Sequence, residues 1–565
     1  MKIGRAFSAD ACDVDNGGPA ATPRGPWQVN VPQLPRVAVC LVIWGVISWT
    51  VVSAVRADPP VAGKVGGMVS PARWLQSQPA PSFRDGHTLP PLTRYGWTLD
   101  FDTRVLLADR WGYCLELGAP ANADLPPRVR GNSGDPEARI VALAAKHPDR
   151  FKLQVIASRQ LPDFGKVPPE TWARTAKGML LNGQAQSLDG MNWTPGMQPV
   201  FSPLAPDPVW QESGRLQAEP LRKLREICPI AVILNGGEYG MPVPGWAQKV
   251  WEQDPAIVKA KGRKSWADFG SERLAHSQRL VADAIRQAVP DRTLYMYYHF
   301  GGVPYRNSFG QWKEWQPVFE DTKGICDLPN SVAYYKEYNT GWTWEGARGD
   351  LLTQMLNARA QEIALGHPLG YYWLCAGYKP AEPGMVSENS LYVGFLKMLY
   401  TAGMVGGNAG YYDYPVTHGV RGFEAPFPPA DPPPWLRQML ALARVHAQFS
   451  FFEPYLRDGD LLPGPNPHRV SKDLPAYEFP TGDANARVVA RRLRAKPHWL
   501  ITAWAADGKE RQVKVTIPEL GTVTLLARGC ATVHKGKLVD GRPVVVAVDA
   551  GDQYWETGAE TPLQK

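Results

Sequence analysis

A chain of 565 residues, 44% hydrophobic and 20% charged, is too long for one simple domain and is rich enough in apolar residues to bury a full core. Its net charge of +7 is modest for that length, and the only dense basic run is Arg487 to Lys496, which reads as a strand with a solvated face; nucleic acid is therefore not an expected partner. Gly and Pro, at 54 each, call for many long loops, and 21 Trp with 21 Tyr supply flat side chains suited to stacking on planar faces.

Residues 1–57 hold an apolar run from Val37 to Val52 behind Arg36, ending in Ser53-Ala54-Val55-Arg56-Ala57. This pattern predicts a secretory signal cut after Ala57, with the mature chain secreted or periplasmic. The alternative is an uncleaved membrane anchor over residues 37–55, because the run is nearly long enough to span a bilayer. Five cysteines follow the leader (Cys114, Cys228, Cys326, Cys375 and Cys530); none has CxxC spacing, most flank apolar runs, and buried thiols are expected.

Residues 58–90 read as a Pro/Gly-rich linker or arm. A strand is expected from Tyr95 to Asp102, ending in the two carboxylates Asp100 and Asp102, and a helix opens at Asp135-Pro136-Glu137. The strand Leu153 to Ala157 precedes an irregular, aromatic stretch over 160–215 with a possible strand at Met179-Leu180-Leu181. A short helix over Glu219 to Glu226 then leads into Ile230-Ala231-Val232-Ile233-Leu234, an unbroken apolar run of the kind buried on both faces in parallel sheets. It runs straight into Asn235-Gly236-Gly237-Glu238-Tyr239-Gly240, a glycine-rich turn that holds one carboxylate past the strand's C-terminal end.

Beyond it the alternation is regular. A helix is expected over Glu272 to Ala288, a strand over Leu294 to Tyr298 ending at His299, and a strand over Val332 to Tyr335 ending at Glu337. Next come a helix capped by Asp350 and stopped by Gly366, the strand Gly370 to Cys375, a helix over Glu388 to Thr401, and the strand Ala409 to Tyr414 around Asp413. Eight strand candidates alternating with helices over residues 91–450 are the pattern of a (β/α)8 barrel. After the helix Trp435 to Phe449 and a connector over 451–474, residues 475–565 alternate in short strands punctuated by Gly, Pro and Asp, and read as a small all-β sandwich.

Two carboxylates past barrel strands, Glu238 and Glu337, are the minimum apparatus for cleaving a glycosidic bond: one protonates the leaving oxygen, the other attacks the sugar carbon or activates water. His299 ends its strand before Gly301-Gly302 and is placed to hydrogen-bond substrate. Asp100 and Asp413 end the first and last strands, which are neighbours in a closed barrel. Tyr239, Trp342, Trp344 and Trp373 sit at or past strand ends, where an aromatic stacks on a pyranose. No GxSxG elbow, HExxH helix, P-loop or dinucleotide fingerprint occurs, and no metal or cofactor is expected.

On Asn235-Gly236-Gly237-Glu238 and Glu337 the chain resembles the retaining TIM-barrel glycoside hydrolases of clan A, many of which carry a C-terminal β-sandwich. The resemblance implies an enzyme acting on a poly- or oligosaccharide, with Glu238 as acid/base, Glu337 as nucleophile and Asn235 beside the substrate; its export is expected from the N-terminal signal. Two details depart from it: Asn235 stands three residues before Glu238 rather than directly before, and Glu337 follows the sixth candidate strand rather than the seventh. The rival reading is a non-catalytic carbohydrate-binding protein on the same scaffold. The expected partner is carbohydrate in either case, with a membrane only if the N-terminal segment stays uncleaved; nothing in the sequence bears on oligomeric state.

Overall fold

The computed structural model describes residues 67–549 except 96–98, 118–135, 158–166, 182–186, 189–199, 237–248, 299–324, 335–343, 365, 376–388, 411–422, 424 and 466–474. In chain order its first elements are α1 (Pro71–Ser77), β1 (Thr93–Tyr95), α2 (Phe101–Arg110), β2 (Leu115–Glu116), α3 (Pro136–Lys146) and β3 (Leu153–Ile156). They continue with β4 (Leu180–Leu181), β5 (Ser187–Leu188), α4 (Asp207–Arg225), β6 (Ile230–Gly236), α5 (Pro255–Lys261), α6 (Trp266–Ala288), β7 (Leu294–Tyr298), β8 (Leu328–Asn330) and β9 (Val332–Tyr334). Then follow α7 (Trp344–Ala364), β10 (Gly370–Cys375), α8 (Asn389–Thr401), β11 (Met404–Gly410), α9 (Pro434–Ser450) and α10 (Glu453–Asp458).

These parallel strands form two sheets, ordered β2-β3-β6-β7-β8 and β1-β11-β10-β9. Only Ser331 separates β8 from β9, so one run of chain pairs with β7 through its first half and with β10 through its second. On the far side a single parallel bridge, Leu92 to Tyr113, links the chain before β1 to the chain before β2. Apolar side chains of α3, α4 and α6 pack with β3, β6 and β7 in one core, and those of α7, α8 and α9 with β10 and β11 in another.

The departures from sequence expectation have local causes. The first strand ends at Tyr95, and Asp100 instead caps α2, accepting from Thr103 N at 2.9 Å and Thr103 Oγ1 at 2.6 Å. The second strand is β2, two residues long, while Leu180–Leu181 pairs antiparallel with β5 outside both parallel sheets. The irregular stretch ends at Pro206: α4 begins at Asp207 and continues through Pro220, so the short helix expected over Glu219 to Glu226 is only its last turns. Asp350 lies inside α7 rather than at its start; Gly366, at φ +87°, does stand just past the helix end, where the left-handed region favours glycine.

The C-terminal strands are β12 (Gly459–Leu461), β13 (Ala486–Leu493), β14 (His498–Ala505), β15 (Arg511–Ile517), β16 (Gly521–Ala527), β17 (Thr532–Val539) and β18 (Arg542–Asp549). They form a five-stranded antiparallel sheet, β12-β13-β14-β17-β18, and the hairpin β15-β16. One face of the sheet shares an apolar core with the hairpin through Val488, Trp499, Ile501, Val513, Val515 and Leu525. Side chains on its other face, among them Val489, Leu500 and Trp504, join the core of α8 and α9.

Being covered on both sides, β13 has no solvated face at its centre, and the expectation for Arg487 to Lys496 is corrected there. Arg487 is buried against Glu478 and donates to Thr353 Oγ1 at 2.9 Å. Arg491, 1% exposed, donates to the backbone oxygens of Tyr455, Leu456, Gly459 and Thr401. The contact is close enough to exclude side chains: a Cβ on Gly394 of α8 would collide with Gly529 O and the Trp504 indole. The buried pair Lys397–Asp549, 2.5 Å apart, and the Thr401–Thr502 hydroxyl contact at 2.6 Å bridge α8 to the sheet. Cys114, Cys228, Cys326 and Cys530 are buried and outside any disulfide, as expected of thiols beside apolar runs.

Candidate active site

The strand registers bring the C-terminal ends of the parallel strands to a common edge in each sheet. Tyr95 of β1 lies opposite Gly410 of β11, Gly410 opposite Cys375 of β10, and Cys375 opposite Tyr334 of β9. In the other sheet Gly236 of β6 lies opposite Tyr298 of β7, and Tyr298 opposite Asn330 of β8. Past these ends the sequence continues to Glu238 two residues after β6, His299 one after β7, Glu337 three after β9 and Asp413 three after β11. Those four, with Tyr239 and Trp342, lie outside the described residues; Trp344 is described by its backbone alone, as the first residue of α7.

The remaining candidates are placed in full. Asn235, the last but one residue of β6, is buried and donates through Nδ2 to the Tyr295 hydroxyl of β7 at 2.8 Å. Tyr295 is itself fully buried, and burial, against the Asn235 hydrogen bond, raises its phenol and keeps it neutral. This bond ties the C-terminal end of β6 to a side chain that rises from near the start of β7. Trp373 is 2% exposed, and its indole lies where a side chain on residue 410 would be, so Gly410 is the residue that admits it. It shares its register with Asn408 of β11 and, through Asn408, with Thr93 of β1. Asp100 serves α2 as described, so its carboxylate is engaged by Thr103.

Sequence reading missed a buried charge pair in the first two strands. Arg94 of β1 and Glu116 of β2 are 5% and 6% exposed and form an ion pair. Burial raises the Glu116 carboxyl, and Arg94, then Arg104, pull it back without cancelling the shift. Gln154 of β3 reaches past β2 to the Arg94 backbone, its Oε1 accepting from Arg94 N at 2.9 Å and its Nε2 donating to Arg94 O. A charge standing alone in each of two short apolar runs, around Leu92 to Tyr95 and Cys114 to Leu117, was the available signal, since buried charges demand a partner. Among the described residues no group of three His, Cys, Asp or Glu side chains is arranged to hold a metal ion.

No family model matches the chain, and no curated protein does. Solved structures to which it is similar include several glycoside hydrolases. An α-amylase from Lactobacillus plantarum shares 11% identity over 84% of this chain and 99% of its own, with a TM-score of 0.36. A GH36 α-galactosidase from Geobacillus stearothermophilus shares 10% over 84% of this chain and 58% of its own, with a TM-score of 0.38. A debranching enzyme from Nostoc punctiforme shares 11% over 70% of this chain and 77% of its own, with a TM-score of 0.36. No helix among the described residues is long and apolar enough to cross a membrane, and the Val37 to Val52 run lies outside those residues.

Proposed function

We propose that the chain is an exported glycoside hydrolase that cleaves a poly- or oligosaccharide with two carboxylates, Glu238 as acid/base and Glu337 as nucleophile. The observation that carries this reading is the shared C-terminal edge of the parallel strands, from which both carboxylates follow within three residues. Chemistry in parallel α/β folds is built at that edge. The ends of β6 and of the β8–β9 run are two strands apart, which at strand spacing is about 10 Å. That strand separation is of the same order as the roughly 5–9.5 Å between the paired carboxyl groups of glycosidases.

In this reading the two parallel sheets make one closed (β/α)8 barrel. Three features support closure: the run shared by β8 and β9, the Leu92–Tyr113 bridge, and the Gln154 side chain that reaches across to β1. Counted around such a barrel, Glu238 follows the fourth strand and Glu337 the sixth. The C-terminal antiparallel layers form a sandwich buttressing the seventh and eighth helices. Glu238, lodged among glycines past a buried strand, protonates the leaving oxygen; Glu337 attacks the anomeric carbon, and the glycosyl-enzyme is then hydrolysed with retention. His299, Asp413, Tyr239, Trp342 and Trp344 are assigned to holding the sugar, whereas Trp373, buried against Gly410, offers it no face.

The test is hydrolysis of a broad panel of polysaccharides and aryl glycosides by the parent and by Glu238→Gln and Glu337→Gln. Activity in the parent that both substitutions abolish supports the assignment. Activity indifferent to both removes these carboxylates from the mechanism, and binding without turnover by the parent makes the chain a carbohydrate-binding protein instead.

A further inference from the structure

Two connections leave the C-terminal ends of parallel strands and run long before their helices begin: residues 157–206 between β3 and α4, and 237–265 between β6 and α6. Their described parts pack on each other around a small core of their own, in which Ala173, Leu181 and Val200 of the first meet Val250, Trp251 and Ile257 of the second. Phe269, in the first turn of α6, joins that core. Because β6 and β7 are parallel, α6 carries the chain back to the start of β7, and its first turn lies at the end where β6 finishes. The satellite therefore stands at the C-terminal end of the strands, and the second connection carries both Glu238 and α5.

The outer surface of this satellite is basic. Residues 249–264 hold five cations, Lys249, Lys259, Lys261, Arg263 and Lys264, against two acids, Glu252 and Asp254. Asp254 is buried and engaged within the satellite, where it caps α5 by accepting from Ala256 N at 2.9 Å and also accepts from Arg174 N at 2.8 Å. Lys264 pairs with Glu272 of α6, and the Lys261 ammonium donates to the carbonyls of Gly262 and Lys264. Lys249, Lys259 and Arg263 are exposed and have no carboxylate partner among the described residues, nor has exposed Lys177 of the first connection. The described surface of the satellite sets only Glu170 and Glu252 against them. Unlike the arginines of β13, these cations face water. Like charges gathered beside a cleft repel one another, and their field draws anions in; a neutral glycan gains nothing from it. Taking the proposed hydrolase as the starting point, we infer that its substrate is an anionic polysaccharide, bearing carboxylates or sulfates, which the surface of Lys249, Lys259 and Arg263 engages beside Glu238.

Binding of the full chain to immobilised polygalacturonate, dextran sulfate and neutral dextran tests this without requiring turnover. The expected result is binding to at least one anionic glycan, which also identifies carboxylate or sulfate as the recognised group, and none to dextran. Raising salt from about 20 to about 300 mM should weaken that binding about tenfold or more, because exposed charges are screened over this range. Lys259→Glu combined with Arg263→Glu should weaken it about tenfold at the lower salt while the melting temperature holds, both side chains being exposed. No binding to either anionic glycan, equal binding to dextran, or binding that neither salt nor the double substitution alters overturns the inference. Single-stranded DNA bound as tightly as the glycan also overturns it, since the surface would then hold polyanions at large. Binding with the expected properties but without hydrolysis of any anionic glycan makes the chain a carbohydrate-binding protein and leaves the recognition standing.

Discussion

The two ends of the parallel strands make a contrast. At the starts of β9, β10 and β11 the polar groups are buried and paired. Glu362 and Arg359 of α7, both 0% exposed, form an ion pair; Glu362 also accepts from Ser331 Oγ at 2.5 Å and from the Tyr372 hydroxyl at 3.0 Å, while Arg359 donates to Tyr372 at 2.8 Å. Arg491 enters beside them from the C-terminal sheet, close to Gly403, whose carbonyl accepts from Gly370 N at 3.0 Å. At the opposite ends the sequence supplies Gly-Gly-Glu-Tyr-Gly, His-Phe-Gly-Gly, Lys-Glu-Tyr-Asn and Tyr-Tyr-Asp-Tyr, with polar and aromatic groups in quantity. One end is fastened by satisfied charges; the other is the end to which the proposed function assigns the chemistry, the division of labour expected of parallel α/β architectures.

Substitutions at the two ends should therefore fail in different ways. The largest effect is expected from Glu362→Ala, which strands the Arg359 guanidinium in the core and should lower stability by about 3–5 kcal/mol in urea or thermal unfolding. A variant that melts with the parent would break the contrast at once. Glu238→Gln should reverse the pattern: turnover falls by about a hundredfold or more while the melting temperature holds.

A third prediction concerns the strap before β1, which α9 and α10 hold down. Buried Glu453 accepts from Thr88 N at 2.9 Å, Arg84 Nη2 at 2.5 Å and Arg457 Nε at 2.9 Å. Burial pushes the Glu453 carboxyl up, but bonds from Thr88, Arg457 and Arg84 outweigh it and hold it at about 2. Burial lowers His446, bonded to the Tyr400 hydroxyl, to about 3, and His534 to about 4. All three folded-state values lie below the unfolded ones. Their contributions are thus complete above the unfolded pKa and are lost as pH falls, from about 6.5 downward for the histidines and from about 4.5 downward for Glu453. The melting temperature should drop by several degrees, roughly 5 °C or more, between pH 6.5 and 4. His446→Gln should flatten the upper part of that slope; an unchanged slope would remove His446 from the account.

The smallest effect separates capping from binding at Asp100. Asp100→Ala should cost about 1 kcal/mol and Asp100→Ser, which also caps, much less. If Asp100→Ser weakens substrate binding while keeping stability, the carboxylate has a second task.

The parts legible in sequence were those with a long, uniform signal. β6 and β10 are unbroken apolar runs buried on both faces, and the helix over Trp266–Ala288 shows Val281 and Ile285 buried at helical spacing. Short elements are not legible: β1 has three residues and β2 two, too few for any period, so the sequence alone puts Asp100 at a strand end. Of α4 only the last turns are legible. The arginines of β13 misled for another reason, because alternation with valine looks amphipathic until helices cover one face and a hairpin the other. Of the site, Asn235 and Trp373 were found at their strands, whereas the Arg94–Glu116 pair belongs to contacts between strands that no local pattern encodes.

The close approach of α8 to the C-terminal sheet has a consequence for biosynthesis. The apolar faces of α8 and α9 are completed by Leu500, Trp504 and Val533, which are made at least 50 residues after Ser450. At translation speeds of about 5–20 residues per second, those helices wait roughly 3–15 seconds with their outer faces uncovered. The nascent chain is thus a client for holding factors during that interval, and a ribosome stalled between residues 450 and 500 should display a protease-sensitive, aggregation-prone intermediate rather than a finished domain.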